Sequence, residues 1–492
     1  MRCEVAKELE TAGDYEGAQA ALGDLWRGVG QRPEVEGLEE KARAFLLLRA
    51  GALTGWLGSA RQIPGSQEAA KDLINESLRD FEALGMPAKV AEAQSEMALC
   101  YWREGAFGEA RVILGDARRR LEAVGDETKY AELKALLLIR SAIVERKAQR
   151  FEAALEFLRG AGPPAEAGHS DVLKGKLHAE LALTLRNLAA GERHEEYMDM
   201  ALVEYAAASL YFEQAGHGRY SARVENNLAY LLLTLGRFAE AHEHLDQAER
   251  LFTSLRDKES AAQVKETRAR VYLAEGRRAE AERAARAAAE LLRDGNQQAL
   301  LAEAQTTLGV ALARLDRCEE ARAVLESAVT TAWQAGDGEG AGRAALTVIE
   351  ELGGQLPPAE LCSLYQRADQ LLAGAVHEET VRRLRSCARI VVSKINESAR
   401  SEARPAPEAA EKEGSMGDES NLPLPEAVRR YEAQLIAHAL SESGGSVTKA
   451  ARLLGVGHQT LSSILHQRHQ DLLSMKKPRK RRQVSIISKA HK

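Results

Sequence analysis

The chain has 492 residues, enough for several domains or one extended repeat array. Alanine, leucine, glutamate and arginine dominate and only 5% of residues are aromatic, a helix-forming composition with few side chains that lose rotamer freedom in a helix. The formal charge of −6 hides an asymmetry: residues 426–492 hold 13 Lys/Arg against 4 Asp/Glu, and the first 425 hold 54 basic against 69 acidic, so a polyanion is expected at the C-terminal end only.

The first residues, "MRCEVAKELE", are charged and lack an apolar run, so no secretory signal is expected, and no window nears the 18 apolar residues of a membrane span. The five cysteines are scattered and never form a CxxC pair. They are expected as small buried hydrophobes in a reduced cytoplasm, not as disulfides or zinc ligands. Near residue 12, "AGDYEGAQAAL" reads as an initial helix pair.

From about residue 40 a pattern repeats: a small residue after a turn, then another seven positions on. The clearest copies are "EGAFGEARVILGDA", "LGRFAEAHEHLDQA", "EGRRAEAERAARAA" and "LDRCEEARAVLESA", anchored at Ala110, Ala241, Ala281 and Ala321. Weaker copies anchor at Ala70, Ala154 and Ala201, with steps of 40, 44, 47, 40, 40 and 40 residues. Twelve residues before each of five anchors lies a second small position (Ala98, Ala142, Ala229, Ala269, Gly309), where two antiparallel helices can approach closely. This pattern resembles the tetratricopeptide repeat, whose usual unit is about 34 residues; six further residues lengthen each helix by about 4.5 Å. The resemblance implies an all-α solenoid over residues 1–395, clearest over 40–375, with "PPAELCSLYQRADQLLAG" as the last packing helix. It also implies a concave groove faced by Trp102, Arg103, Arg186, Asn187, Arg223, Asn226, Tyr230, Arg270 and Arg314. Most residues of such arrays simply pack neighbouring repeats; a groove rich in Arg and Asn would suit an acidic or C-terminal peptide of a protein partner.

Residues 396–425 concentrate four of the twelve prolines with Glu, Ser and Gly, which predicts a flexible linker. Beyond it, residues 426–470 read as a small module. Val428, Tyr431, Leu435 and Ala439 give a first helix one apolar face, and "ESGG" ends it. Ser446 is the expected N-cap of a second helix, Val447 to Leu454. Gly455 belongs in the turn, and a third helix starts near His458. Ala450 and Ala451 supply the small crossing, while Leu454, Val456, Leu461 and Ile464 supply the apolar contacts of a helix-turn-helix. "GGSVTKAARLLGVGHQTL" resembles the Fis-type helix-turn-helix at the C-terminus of many bacterial transcription regulators. The resemblance implies double-stranded DNA as partner, with His458, Gln459 and Thr460, then Ser462 and Ser463, facing bases, and Thr448 and Lys449 facing phosphates. It departs from the family where arginine and other basic residues are usual, at His458 and over Ser462–Ile464. Six basic residues in seven, Lys476, Lys477, Arg479, Lys480, Arg481 and Arg482, lie in a tail spanning 471–492. They would track the DNA backbone or merely solubilise the chain.

No P-loop, GxSxG, HExxH, EF-hand loop or dinucleotide glycine pattern occurs, so neither an enzyme nor a cofactor is expected. "HEH" at His242–His244 splits two histidines over different helix faces, and His466 and His469, lacking a third ligand, are expected on a solvated face. The expectation is a cytoplasmic DNA-binding regulator whose solenoid binds a protein partner or joins two copies into a homodimer, with no membrane. The alternative is an adaptor whose terminal module makes protein contacts.

Overall fold

The computed structural model describes residues 1–126, 128–189, 193–295, 297–374, 378–402, 433, 435–454 and 456–475. The chain divides into two compact units, Met1–Arg404 and Pro405–Lys492.

The larger unit is a stack of helix pairs. An N-terminal hairpin, α1 (Arg2–Thr11) and α2 (Tyr15–Leu22), precedes α3 (Glu40–Ala60) and α4 (Ser66–Ala83), α5 (Pro87–Arg103) and α6 (Phe107–Val124), and α7 (Ala131–Lys147) and α8 (Phe151–Ala167). There follow α9 (Asp171–Leu188) and α10 (His194–Gln214), α11 (Gly218–Thr234) and α12 (Phe238–Ser254), and α13 (Lys258–Ala274) and α14 (Arg278–Leu292). The series ends with α15 (Gln298–Arg314) and α16 (Cys318–Gln334), α17 (Gly338–Leu352) and α18 (Pro358–Leu371), and α19 (Glu378–Glu402).

The small residues explain the pairing. All seven anchoring alanines are fully buried, as are Ala117, Ala248, Ala288 and Ala328 one heptad later. They let the second helix of each pair lie close against the first, and larger neighbours such as Leu245 and Leu325 fill the space beside them. Turns within pairs need a left-handed residue: Gly236 (φ 72°) and Gly276 (φ 76°) supply it without strain, whereas Asp316 (φ 61°) takes the same place in "LDRC". Gly309 shows how tight the fit is, because a Cβ there would sit 2.4 Å from Cγ of the fully buried Leu325. Gly309→Ala is expected to lower stability by about 2 kcal/mol, since Leu325 has no open space to enter. Chemical denaturation checks this, and Leu325→Ala in the same chain should relieve part of the clash.

Three expectations need correction. "PPAELCSLYQRADQLLAG" is not the last packing helix: α17 and α18 form an eighth pair, with Leu361 and Ala368 forty residues beyond Ala321 and Ala328. Leucine at the first of these positions hid the repeat. α19 follows, burying Cys387 and Val391 against α17 and α18. The boundary at 395 is also early, since α19 continues to Glu402. Apolar periodicity ends there, but "NESARSE" keeps good helix formers. Finally, the tail expected over 471–492 begins too early, because a 3-10 helix over Gln470–Met475 packs Leu472 and Leu473 on the terminal module.

The five cysteines are free, with Cys100 and Cys387 buried; burial pushes the Cys100 thiol up to about 11. Among the described residues no helix is long and apolar enough to cross a membrane.

Candidate functional site

The first helices of successive pairs line the inner face of the repeat unit. Two cavities open along it. The first, about 380 Å³, is bounded by α1, α3, α5, α7 and α9; the second, about 460 Å³, by α11, α13, α15, α17 and α19.

Between them the array meets itself. Tyr15 stacks on Trp56 at 3.4 Å between ring centroids, and its phenol meets that of Tyr220 on α11. Gly13 lies so near the His217 ring that a Cβ would come within 2.5 Å of it. Burial, with Lys176 and Arg219 nearby, holds the His217 imidazole down to about 4. It is therefore neutral, and its Nδ1 accepts the Tyr220 backbone N–H as the cap of α11. A second closure joins α3 to the start of α15, where Gln297 donates to the Ala60 carbonyl at 3.0 Å.

The first cavity is strongly charged. Arg49, 4% exposed, donates to Glu10 at 2.7 Å and to Glu92 at 3.0 Å. The two carboxylates respond differently. Glu10 is dominated by burial and has Arg49 as its hydrogen-bonded cation, so its carboxyl rises to about 7. Burial acts on Glu92 too, but Arg49, Lys7 and Lys89 together outweigh it and bring it to about 2. Arg140 bonds Glu96 at 2.7 Å and Ser95 at 2.6 Å.

Of the nine groove residues expected from sequence, Arg103 lines the first cavity, and Tyr230 and Arg270 line the second. Arg186 and Arg270 both stand over the Tyr230 ring, at 5.2 and 5.9 Å, so these three meet. Arg223 is exposed over Tyr220. Asn187 and Asn226 are half-buried, and Oδ1 of Asn226 is buried without a partner. Trp102 and Arg314 join neither cavity: Trp102 packs against the α5–α7 core, and Arg314 pairs with Glu351 at 3.1 Å. The groove is more mixed in charge than an Arg/Asn-rich surface. Sequence reasoning missed Lys7, Glu10, Tyr15, Arg49, Trp56 and Lys176 because the closure that gathers them spans some 200 residues. The one local signal was "GALTGWLG" in α3, whose glycines mark close approach.

"HEH" splits as expected: His242 meets Glu275, and His244 meets Glu225 at 2.6 Å. Among the described residues no group of three side chains could hold a metal.

The terminal module is built on a separate core. Its first helix, α20, is described over residues 435–442; α21 (Val447–Leu453) and α22 (His458–Gln467) follow. Ile436, Ala439, Leu440, Ala450, Ala451, Leu461 and Leu465 are buried together. The first helix is thus rotated from the expected face: Leu435 is exposed and Ile436 and Leu440 are inside, while Val428 and Tyr431 lie outside the described residues. Gly444 (φ 58°) and Gly445 (φ 78°) end α20, with the Gly445 N–H returning to the Leu440 carbonyl at 2.8 Å. Ser446 holds the N-cap position of α21 in extended backbone, although its side chain makes no cap bond. Gly455 lies outside the described residues, but the turn is closed by the Val456 N–H on the Ala451 carbonyl at 2.9 Å. Val456 itself is 38% exposed, against the expectation of an apolar contact.

Thr448, Lys449, His458, Gln459 and Ser463 are exposed and Ser462 is half-buried. Thr460 is in α22, its side chain outside the described set, as are Lys476, Lys477, Arg479, Lys480, Arg481 and Arg482. His466 is exposed as expected; His469 is not, being buried within the module. Exposed Arg452, in the last turn of α21, is a cation that the family pattern did not mark.

Fold and site define an all-α helical-repeat protein of tetratricopeptide type with a helix-turn-helix module. Residues 427–463 match the family model described as bacterial regulatory protein, Fis family. A search of curated protein sequences gave no match. The chain is similar to a solved Rap protein complexed with competence and sporulation factor (14% identity, 72% of this chain and 100% of that one, TM-score 0.47). It is also similar to NprR in complex with its cognate peptide NprX (15% identity, 71% and 99%, TM-score 0.38). A third similarity is to a signal transduction ATPase with a tetratricopeptide repeat sensor from Pyrococcus horikoshii (15% identity, 80% and 54%, TM-score 0.44).

Proposed function

We propose that the chain is a bacterial, cytoplasmic, non-enzymatic transcription regulator. Its terminal module reads double-stranded DNA through the N-terminal end of α22, and its repeat body binds a protein or peptide partner or joins two copies. The observation that carries this reading is the coincidence of the Fis-type match with a self-contained helix-turn-helix core whose His458 and Gln459 stay exposed. Side chains at the start of a recognition helix are the ones that reach base edges in the major groove.

Salt-dependent binding of the full chain to duplex DNA tests it; a folded protein that binds no duplex at any salt would sink it. His458→Ala with Gln459→Ala is expected to flatten the difference between preferred and unrelated sites by about tenfold or more, as loss of base contacts does. Lys449→Ala should instead weaken all sequences alike and reduce the salt slope by about one.

A second reading, an adaptor with a protein-binding module, is favoured by the absence of arginine from α22. Crosslinking to chromosomal DNA separates the two: discrete sites support the regulator, a flat profile the adaptor.

A further inference from the structure

The first cavity holds more positive charge than its own wall answers. Seven basic and four acidic residues line it. All four acids are already engaged, with Glu10 and Glu92 on Arg49, Glu96 on Arg140, and Glu132 accepting the backbone N–H of His169. Arg103 lines the same wall without a hydrogen bond or ion pair to a described residue. Its guanidinium is seated where Gly55 leaves room, since a Cβ there would approach Nη1 to 3.1 Å. Lys176 stands over the Tyr220 ring at 5.1 Å, likewise without a carboxylate partner. Arg103, Arg140 and Lys176 thus gather around the Tyr15–Tyr220 contact. Across the cavity Oε1 of Glu10 is buried with no partner, and Trp56 and Leu53 offer an apolar wall.

We propose that this cavity binds a small anionic molecule, with its carboxylate or phosphate between Arg103, Arg140 and Lys176 and a flat apolar body against Trp56. Its volume is that of a small-molecule site. The α1–α2 hairpin supplies one wall through Lys7, Glu10 and Tyr15, so the ligand also ties the hairpin to the array. Arg103 is half-buried, with the Glu96 carboxylate, already bonded to Arg140, as its nearby anion; a ligand anion would give its guanidinium a hydrogen-bonded partner. The site goes beyond the regulator reading, and its test involves no DNA.

The test titrates the full chain with anilinonaphthalene sulfonate, a flat aromatic anion, and follows fluorescence. One saturable site is expected, weakened at least tenfold in Arg103→Met and in Lys176→Met and unchanged in Arg343→Met of the second cavity. Should Arg103→Met fail to fold, Lys176→Met decides. Displacement at lower concentration by inorganic phosphate assigns a phosphoryl ligand, and by citrate a carboxylate one. No saturable binding, equal binding in both variants, or displacement by hexaglutamate peptide but by neither small anion would overturn the proposal.

Discussion

A chain ending at Arg404 is expected to lose binding to duplex DNA by about 100-fold or more, while the thermal unfolding of its helices stays where it is in the full chain. Residues 1–404 carry 53 basic against 64 acidic residues. Such a body repels a polyanion, and specific complexes exceed nonspecific ones by factors of this size. The helix-turn-helix removed by this cut has its own core, from Ile436 to Leu465, so the loss cannot be assigned to damage in the repeats. Electrophoretic mobility shift at two salt concentrations, with circular dichroism of both chains, measures it. Equal binding by the truncated chain would place the DNA contact on the repeats.

The repeat fold was readable because its signal is steric and local. A buried alanine every forty residues marks helices that must approach closely, and each of the seven lies in the core. Where the steric rule was met by another residue, the reading stopped early: Leu361 at an anchor position concealed the eighth pair. The boundary at 395 fell inside α19 because loss of apolar periodicity and loss of helix are different events. The module was legible for similar reasons, since "GG", "AA" and Leu461 fill positions that only a tight helix crossing requires. Its first helix was rotated by one position because Leu435 and Ile436 are both apolar, and the period alone does not choose between them.

The groove was less legible. The tetratricopeptide resemblance places Arg103, Tyr230 and Arg270 on inner positions, but charge pairing is a property of neighbours that sequence does not reveal. Arg270 is committed to Glu266 within its own helix, and Arg314 to Glu351. Several groups of the first cavity come from the N-terminal hairpin, outside the clearest repeats, and from α3, in one of the weaker copies. They meet α9 and α11 only because the array closes on itself through Tyr15 and Tyr220. A pattern that compares residues forty apart does not see a contact between residues 15 and 220.

The largest single-residue effect on stability is expected at Arg49. Its guanidinium is the hydrogen-bonded cation of Glu10 and one of three cations on Glu92, with Lys7 at 3.0 Å and Lys89 at 2.7 Å. Arg49→Met keeps much of the side-chain volume but leaves Glu10 buried without a countercharge, a loss of about 3 kcal/mol at pH 8. The pH dependence has a definite sign. Glu10 already stands at about 7 in the folded chain against an ordinary 4.5, and the variant moves it higher. A carboxyl raised on folding gives stability that is fully present below 4.5 and is lost as pH rises through the folded value. Glu92, at about 2, gives stability present above 4.5 and lost as pH falls through 2, and without Arg49 that contribution shrinks. The Glu92 loss is nearly the same at pH 5 and pH 8, so the Glu10 effect makes the deficit of Arg49→Met largest at pH 8 and smaller near pH 5. Adding Glu10→Gln should recover part of it at pH 8 and little at pH 5, because the amide removes the charge that the variant cannot hold. Urea unfolding of the three chains at the two pH values measures this; a deficit that grows toward pH 5, or no recovery by Glu10→Gln, would show that packing rather than charge holds Arg49 in place.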